Sequence, residues 1–256
     1  MAKLARIDTT ALARGVPAQG DLLELHGAEG FSAASRSHYP IAKRTTDLFI
    51  TVLLLIVLAP LLVVSAVAVK LDSRGPILFS QERVGTRRVR RGGKTRWRLE
   101  VFKVYKFRSM IADADPGVHE RHIAAIANRS AKSGPSDTTS IKLEGDPRIT
   151  RVGRYLRRAS IDELPQLINV LRGEMSLVGP RPVPLYEFAR YRPEHMPRFT
   201  VLPGISGLWQ VRGRCVLSFW EMVSCDLEYA ENQSLWMDLK IMVQTLPAVV
   251  SMRGAG

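Results

Sequence analysis

The stretch Ser160-Ile-Asp-Glu-Leu-Pro-Gln-Leu-Ile-Asn-Val-Leu-Arg-Gly-Glu-Met-Ser-Leu-Val-Gly-Pro-Arg-Pro182 carries two adjacent carboxylates, Asp162 and Glu163, at the start of a predicted helix. Apolar residues follow at Leu164, Leu167, Ile168 and Leu171, the i, i+3, i+4, i+7 spacing of one buried helical face. Gly173 ends that run, and Gly179-Pro-Arg-Pro182 reads as a turn. Ser160 and Glu163 have capping-box spacing, while Pro165 favours a later start with Asp162 as the cap. Either start puts Asp162 at the positive end of a helix, where an anion is favoured. Capping alone is enough to explain an acidic pair there. The neighbours suggest a second use, because Arg151, Arg154, Arg157 and Arg158 come just before the pair and Arg172 and Arg181 just after it. A carboxylate can attack phosphorus and form an acyl phosphate, provided cations neutralise the two approaching anions. Arginine's planar fork suits phosphate oxygens, and Arg157, Arg158 and Arg181 are near enough in sequence to supply it.

Toward the N-terminus, Leu48 to Val69 is a run of 22 uncharged, mostly aliphatic residues bracketed by Asp47 and Lys70. That length is sufficient to cross a hydrocarbon core of about 30 Å. Pro60 lies near its centre, where it removes a backbone hydrogen bond and bends a helix. Arg36, Lys43 and Arg44 flank one end, Lys70 and Arg74 the other, so the positive-inside rule resists placing either flank outside. A helix broken at Ala59-Pro60 that dips in and returns to the same face satisfies both flanks; a kinked single span is the other reading. Residues 1–38 are rich in Ala, Gly and Ser without sustained periodicity and read as a mostly disordered tail. No apolar signal-peptide core follows Lys3 and Arg6.

The 256 residues carry a net charge of +13, which calls for an acidic partner: nucleic acid, anionic lipid or a phosphorylated substrate. Eleven of the residues from Arg83 to Arg108 are Lys or Arg, with Glu100 the single acid. Val101 to Arg108 begins by alternating apolar and basic residues, and Gly92-Gly93 is a turn signal, so a basic hairpin over Arg83 to Phe107 is expected. Interleaved Trp97 and Phe102 would suit stacked bases, but behind a membrane segment such a patch more simply meets anionic headgroups. Cys215 and Cys225 have neither zinc spacing nor a disulfide framework, which points mildly to a reducing compartment.

Elsewhere the pattern predicts a helix from Asp146 with Val152, Tyr155 and Leu156 inward, and helical character over Tyr186 to Phe199. A glycine-rich loop or strand pair is expected over Leu202 to Arg214, then a helix near Phe219 to Tyr229. A last helix over Leu235 to Val250 would turn Leu235, Leu239, Met242, Val243 and Leu246 to one face. The fold class expected is a helix-rich α+β catalytic domain over residues 73–256, preceded by a re-entrant helix over 39–72.

With the central stretch, Lys103-Val-Tyr-Lys-Phe-Arg-Ser-Met110, Val178-Gly-Pro-Arg-Pro182 and Leu202-Pro-Gly-Ile-Ser-Gly-Leu-Trp-Gln-Val-Arg-Gly-Arg214 in view, the chain closely resembles the bacterial sugar transferases. These are monotopic polyprenyl-phosphate phosphoglycosyl transferases, and the similarity runs from about Tyr39 to about Val250. The resemblance implies an enzyme of the bacterial inner membrane with its catalytic domain facing the cytoplasm. It would move a hexose 1-phosphate from a UDP-sugar to undecaprenyl phosphate, beginning exopolysaccharide or glycoconjugate synthesis.

By the same resemblance Asp162 is the nucleophile of a ping-pong route. Glu163 is the second acid, associated with Mg2+ and with acceptor activation, so the two acids together form the expected metal site. Arg157, Arg158, Arg181, Lys106 and Arg108 are expected at substrate phosphates, Lys43 and Arg44 at the membrane interface, and Pro60 at the helix break. Nucleic acid is not an expected partner, and an oligomer is allowed. Ala59 stands where the family often has serine before that proline, and the insertions at Arg87 to Arg98 and Ala114 to Gly145 are longer than in the smallest members. The non-enzyme alternative is a membrane-tethered basic scaffold that binds nucleic acid or polyphosphate.

Overall fold

A computed structural model describes residues 39–91, 94–115, 117–118, 121–123, 125–126, 146–213 and 217–250. The expected tail over 1–38, the Gly92-Gly93 turn, Cys215 and most of the Ala114 to Gly145 insertion lie outside them.

Two apolar helices lead, α1 (Tyr39–Val57) and α2 (Ala59–Asp72), bent by 63°. The bend has a local cause. Pro60 lies in the first turn of α2 and has no N–H to donate back into α1. Leu58 N and Leu62 N still donate to Leu54 O and Leu58 O, at 2.8 and 2.9 Å, so the chain turns without fraying. No single helix among the described residues is long and apolar enough to cross a membrane; the bent pair taken together has the length and composition of a broken span or a re-entrant loop. Phe49, Ile56, Val57, Val63, Val64 and Leu71 stand exposed along it.

The basic run is the expected hairpin. Strands β1 (Leu78–Arg91) and β2 (Lys94–Phe107) pair antiparallel from Leu78↔Phe107 to Arg91↔Lys94. Val84, Leu99, Phe102 and Val104 are buried on it, against the rest of the domain. Helix α3 (Arg151–Arg158) begins five residues later than the Asp146 start expected, because Thr150 supplies the cap: its side chain accepts from Gly153 N at 3.0 Å. Leu156 faces inward but Tyr155 is exposed, so the inward face is narrower than expected. Asp72, the last residue of α2, accepts from Val152 N at 3.0 Å and ties the apolar pair to α3.

The central stretch opens as a 3-10 helix (Ile161–Gln166) that passes into α4 (Leu167–Arg172). Neither expected cap forms. Ser160 occupies the cap position in the left-handed region, φ 53°, and its side chain makes no capping bond. Gly173 ends α4 with φ 79°, as its position predicts. Strand β3 (Ser176–Val178) pairs parallel with β4 (Gly204–Ser206), joined across by α5 (Leu185–Phe188) and a second 3-10 helix (Pro193–Phe199). The backbones at β4 come very close: a Cβ on Gly204 would lie 2.1 Å from Gly179 N.

Three helices close the domain: α6 (Leu208–Gly213), α7 (Phe219–Asn232) and α8 (Leu235–Val250). Leu239, Val243 and Leu246 share a face of α8 as expected, and with Trp236 it is exposed, while Asp238 and Ile241 face inward. Asp238 is the reason, because its carboxylate finds a buried lysine partner only on the inner side. The architecture is α+β, with a long hairpin, a two-stranded parallel sheet and helices sharing one main core of Phe102, Val170, Leu177, Trp209, Tyr229 and Ile241.

Candidate active site

Asn169 sets the geometry of the acidic pair. It is fully buried; its amide donates to Lys103 O and Glu174 Oε2, both at 2.7 Å, and its Oδ1 accepts from Tyr105 N at 3.2 Å. These contacts fix α4 against the edge of β2 that β1 leaves unpaired. Lys106 is the next residue along that strand, and its Nζ meets Glu163 Oε1 at 2.6 Å. Arg181 Nη1 lies 3.8 Å from the same oxygen. Burial pulls the Lys106 ammonium below its ordinary pKa, with Glu163 opposing.

A cleft of about 270 Å³ opens here, lined by Arg83, Lys106, Glu163, Gln166, Arg181 and Gln210 among others. Asp162 is beside it rather than on its wall. It is 7% exposed, and its charge is felt by both Lys106 and Arg157. Burial lowers the Arg157 guanidinium and Asp162 is the strongest group holding it up, so these two residues form a local charge couple. Helix α3 brings Arg157 close because Gly153 lets it lie on the Ser109 backbone, where a Cβ would meet Ser109 O at 2.1 Å.

The loop carrying Arg181 has little backbone freedom. Pro180 O accepts from Gly204 N at 2.8 Å, Arg181 O from Arg198 Nη2 at 3.2 Å, Pro182 O from Arg83 Nη1 at 3.2 Å and Val183 O from Val84 N at 2.7 Å. Arg198 is itself buried, paired with Asp226 on α7 and donating to the Tyr191 hydroxyl. Burial raises the Asp226 carboxyl to about 6, with Arg198 opposing.

The expected site residues fall into two groups. Asp162, Glu163, Arg157, Arg181 and Lys106 come together. Arg158 is exposed on α3, outside the cleft lining. Arg108 lies apart as well: its guanidinium is buried at the end of α2, donating to Ser73 O at 2.6 Å and Arg74 O at 2.7 Å, where it satisfies carbonyls left by the helix terminus. Lys43 and Arg44 also turn inward. Lys43 Nζ pairs with Asp238 Oδ2 at 2.9 Å and donates to Val178 O and the Tyr229 hydroxyl, at 3.1 and 3.2 Å. Arg44 donates to Val170 O at 2.6 Å and Leu171 O at 3.0 Å, the last carbonyls of α4.

Arg83, Gln166 and Gln210 were not expected. Arg83 sits in a basic run whose pattern does not separate inward from outward arginines. Asp226 did leave a signal, since it falls on the apolar stripe of α7 formed by Phe219, Met222, Val223 and Ala230.

Among the described residues no three His, Cys, Asp or Glu side chains converge as a metal cage. Two adjacent carboxylates completed by substrate phosphates are a donor set Mg2+ ordinarily uses, so Asp162 and Glu163 fit that ion.

The profile of the family described as bacterial sugar transferase matches residues 38–252. The exopolysaccharide production protein ExoY of Sinorhizobium fredii is 40% identical over 219 residues, covering 84% of this chain and 88% of that protein. The undecaprenyl-phosphate glucose phosphotransferase of Komagataeibacter xylinus is 42% identical over 229 residues, covering 84% and 37%. The undecaprenyl-phosphate galactose phosphotransferase of Salmonella typhimurium is 38% identical over 213 residues, covering 83% and 41%. The chain thus spans most of the first relative and less than half of the other two.

Proposed function

This chain belongs to the bacterial sugar transferase family, and on that premise we propose that it transfers a hexose 1-phosphate from a UDP-sugar to undecaprenyl phosphate. The products are UMP and the undecaprenyl diphosphate-sugar, the first membrane-bound intermediate of an exopolysaccharide or glycoconjugate. The observation that carries the reading is the buried Asp162–Glu163 pair ringed by Arg157, Lys106 and Arg181. Five charged side chains from four separate segments converge there beside a cleft, which a helix cap alone does not require.

In the proposed route an Asp162 oxygen attacks the sugar-bearing phosphorus. The bond from that phosphorus to the bridging oxygen breaks, and UMP leaves with the electron pair. The phosphosugar remains on the Asp162 carboxyl until an oxygen of the lipid phosphate attacks the same phosphorus and releases the carboxylate. Arg157 and Arg181 neutralise charge on the approaching phosphate, and fixed donors of this kind need no reorganisation as the reaction proceeds. Glu163, held by Lys106, orients the acceptor. Bound Mg2+ at Asp162 and Glu163 would neutralise further phosphate charge.

The exposed apolar faces of the α1–α2 pair and of α8 supply a surface for lipid. The 63° bend suits a pair that enters and leaves by one bilayer face, with the catalytic domain on the cytoplasmic side of the inner membrane. The direct test is incubation with UDP-sugar labelled in the transferred phosphate, without lipid. Label retained on the wild type and absent from Asp162→Asn, which still fractionates with membranes, supports the covalent route. Full turnover by Asp162→Asn removes it.

A further inference from the structure

Arg83 has no part in the scheme above, yet it is the most deeply buried cation on the cleft wall. Its residue is 7% exposed, and the guanidinium donates only to neutral oxygens: Pro182 O at 3.2 Å and Gln81 Oε1 at 2.7 Å. The carboxylates of Glu187 and Glu163 favour its charge, but less than burial and Arg181 oppose it. A buried guanidinium whose own hydrogen bonds go to neutral oxygens is costly unless further counter-charge is supplied. Burial and then Arg181 together pull Arg83 down to about 10. Its strand neighbours Arg87 and Arg88 are exposed, so burial here is specific to this position.

The lining as a whole is similarly unbalanced. Arg83, Lys106 and Arg181 stand against one carboxylate, Glu163, which leaves about two positive charges unmatched on the wall. We propose that Arg83 is a third substrate-binding cation, which together with Lys106 and Arg181 grips the diphosphate of the sugar-nucleotide donor. This rests on the donor reading above and deepens it. Two phosphates bring about two negative charges, the amount the wall lacks. Arg83 is also anchored to the Pro182 carbonyl next to Arg181, which places the two arginines together on the wall. Their planar forks suit bidentate recognition of a phosphate chain.

The same charges would also accept the phosphate of the lipid, so the experiment must separate donor from acceptor. UDP binding to the full chain in detergent is measured by calorimetry for wild type, Arg83→Gln and Arg83→Lys, with thermal midpoints as a check on folding. Arg83→Gln is expected to bind UDP tenfold or more weakly, and Arg83→Lys, which keeps the charge but loses the fork, threefold to tenfold more weakly. In turnover, kcat/KM for UDP-sugar falls by a similar factor while KM for undecaprenyl phosphate stays within twofold.

Wild-type UDP affinity in a folded Arg83→Gln variant overturns the assignment, as does a defect confined to the lipid KM. Should the glutamine variant denature, the lysine variant decides alone: wild-type UDP affinity there overturns the proposal. A wild-type chain that releases no UMP from any UDP-sugar would instead remove the donor reading itself. Normal wild-type turnover with unchanged UDP binding in both variants removes only the role of Arg83.

Discussion

Replacing Lys43 with methionine tests whether the apolar helix pair and the catalytic domain are one cooperative unit. Lys43 Nζ pairs with Asp238 Oδ2 at 2.9 Å, and the two side chains are 11% and 5% exposed. Removing one partner of a buried pair costs about 3–5 kcal/mol, chiefly because the other charge is stranded. Asp238 is not wholly stranded here, since it still accepts from the Tyr39 hydroxyl at 3.0 Å and the Tyr229 hydroxyl at 2.6 Å. Val178 O likewise keeps its bond from Tyr229 at 3.1 Å. The lower end of that range applies, about 3 kcal/mol. For a domain of this size that lowers the thermal midpoint by about 6–12 °C.

Asp238→Asn strands the lysine instead and should cost a similar amount. The double variant Lys43→Met/Asp238→Asn leaves no unpaired charge, so its loss should be smaller than the sum by about 1.5–3 kcal/mol. The assay is thermal unfolding followed by tryptophan fluorescence in detergent, with UMP release measured alongside. Turnover should fall with the midpoint in Lys43→Met, because Val178 immediately precedes the Gly179-Pro-Arg-Pro182 loop. Additive single effects below about 1 kcal/mol each would refute the reasoning, since that is how an exposed, screened ion pair behaves.

Three other outcomes follow from the same geometry. Lys106 is charged below its pKa, and burial has lowered that pKa, so raising the pH removes this cation earlier than it would an ordinary lysine. A plot of kcat/KM for UDP-sugar against pH should therefore fall on an early alkaline limb, which Lys106→Arg moves to higher pH. Gly153→Ala would drive a Cβ to 2.1 Å from Ser109 O, so α3 must shift; a loss of about 1–3 kcal/mol is expected in thermal unfolding, with slower UMP release because Arg157 moves too. Chelating divalent ions should stop UMP release and added Mg2+ restore it, with Glu163→Gln raising the Mg2+ needed on the order of tenfold or more.

The sequence made some elements legible because their causes are local. Pro60 lacks an N–H whatever surrounds it, Gly173 tolerates a positive φ, and the Gly92-Gly93 turn signal with alternation from Val101 forecasts a hairpin. The acidic pair and its arginines were legible as a cluster because they are close in the chain. Long-range partners were not. Arg108 sits in the same basic motif as Lys106, two residues on, yet one meets Glu163 and the other closes the end of α2. Charge type says that an arginine needs acceptors, but not whether they are phosphates or helix carbonyls. Lys43 and Arg44 read as interface residues for the same reason, although their acceptors lie more than 120 positions away. Helix α8 has apolar residues on both sides, and periodicity alone does not choose between them; the need to bury Asp238 against Lys43 does. Ser160 is a further limit, since its left-handed backbone follows from how α3 meets the 3-10 helix rather than from serine itself.

Under the proposed function, the backbone bonds around Arg181 let lipid and sugar-nucleotide chemistry share one site. The carbonyls of Val178, Pro180, Arg181, Pro182 and Val183 are held in turn by Lys43 on α1, Gly204 on β4, Arg198 on the second 3-10 helix, and Arg83 and Val84 on β1. These donors come from four elements far apart in sequence, and one of them is the apolar helix pair itself. The loop cannot shift without breaking several bonds, at about 0.5–1.5 kcal/mol each. The Arg181 side chain, half-buried, is the freer part. In the proposed reaction the acceptor stays in the bilayer while the donor arrives from water, so the reacting phosphorus has to sit at a set height above the lipid surface. A loop hydrogen-bonded at one end to α1 and at the other to the hairpin that carries Lys106 sets that height through direct contacts. The Lys43–Val178 contact is therefore where the anchoring of the protein becomes positioning of its chemistry.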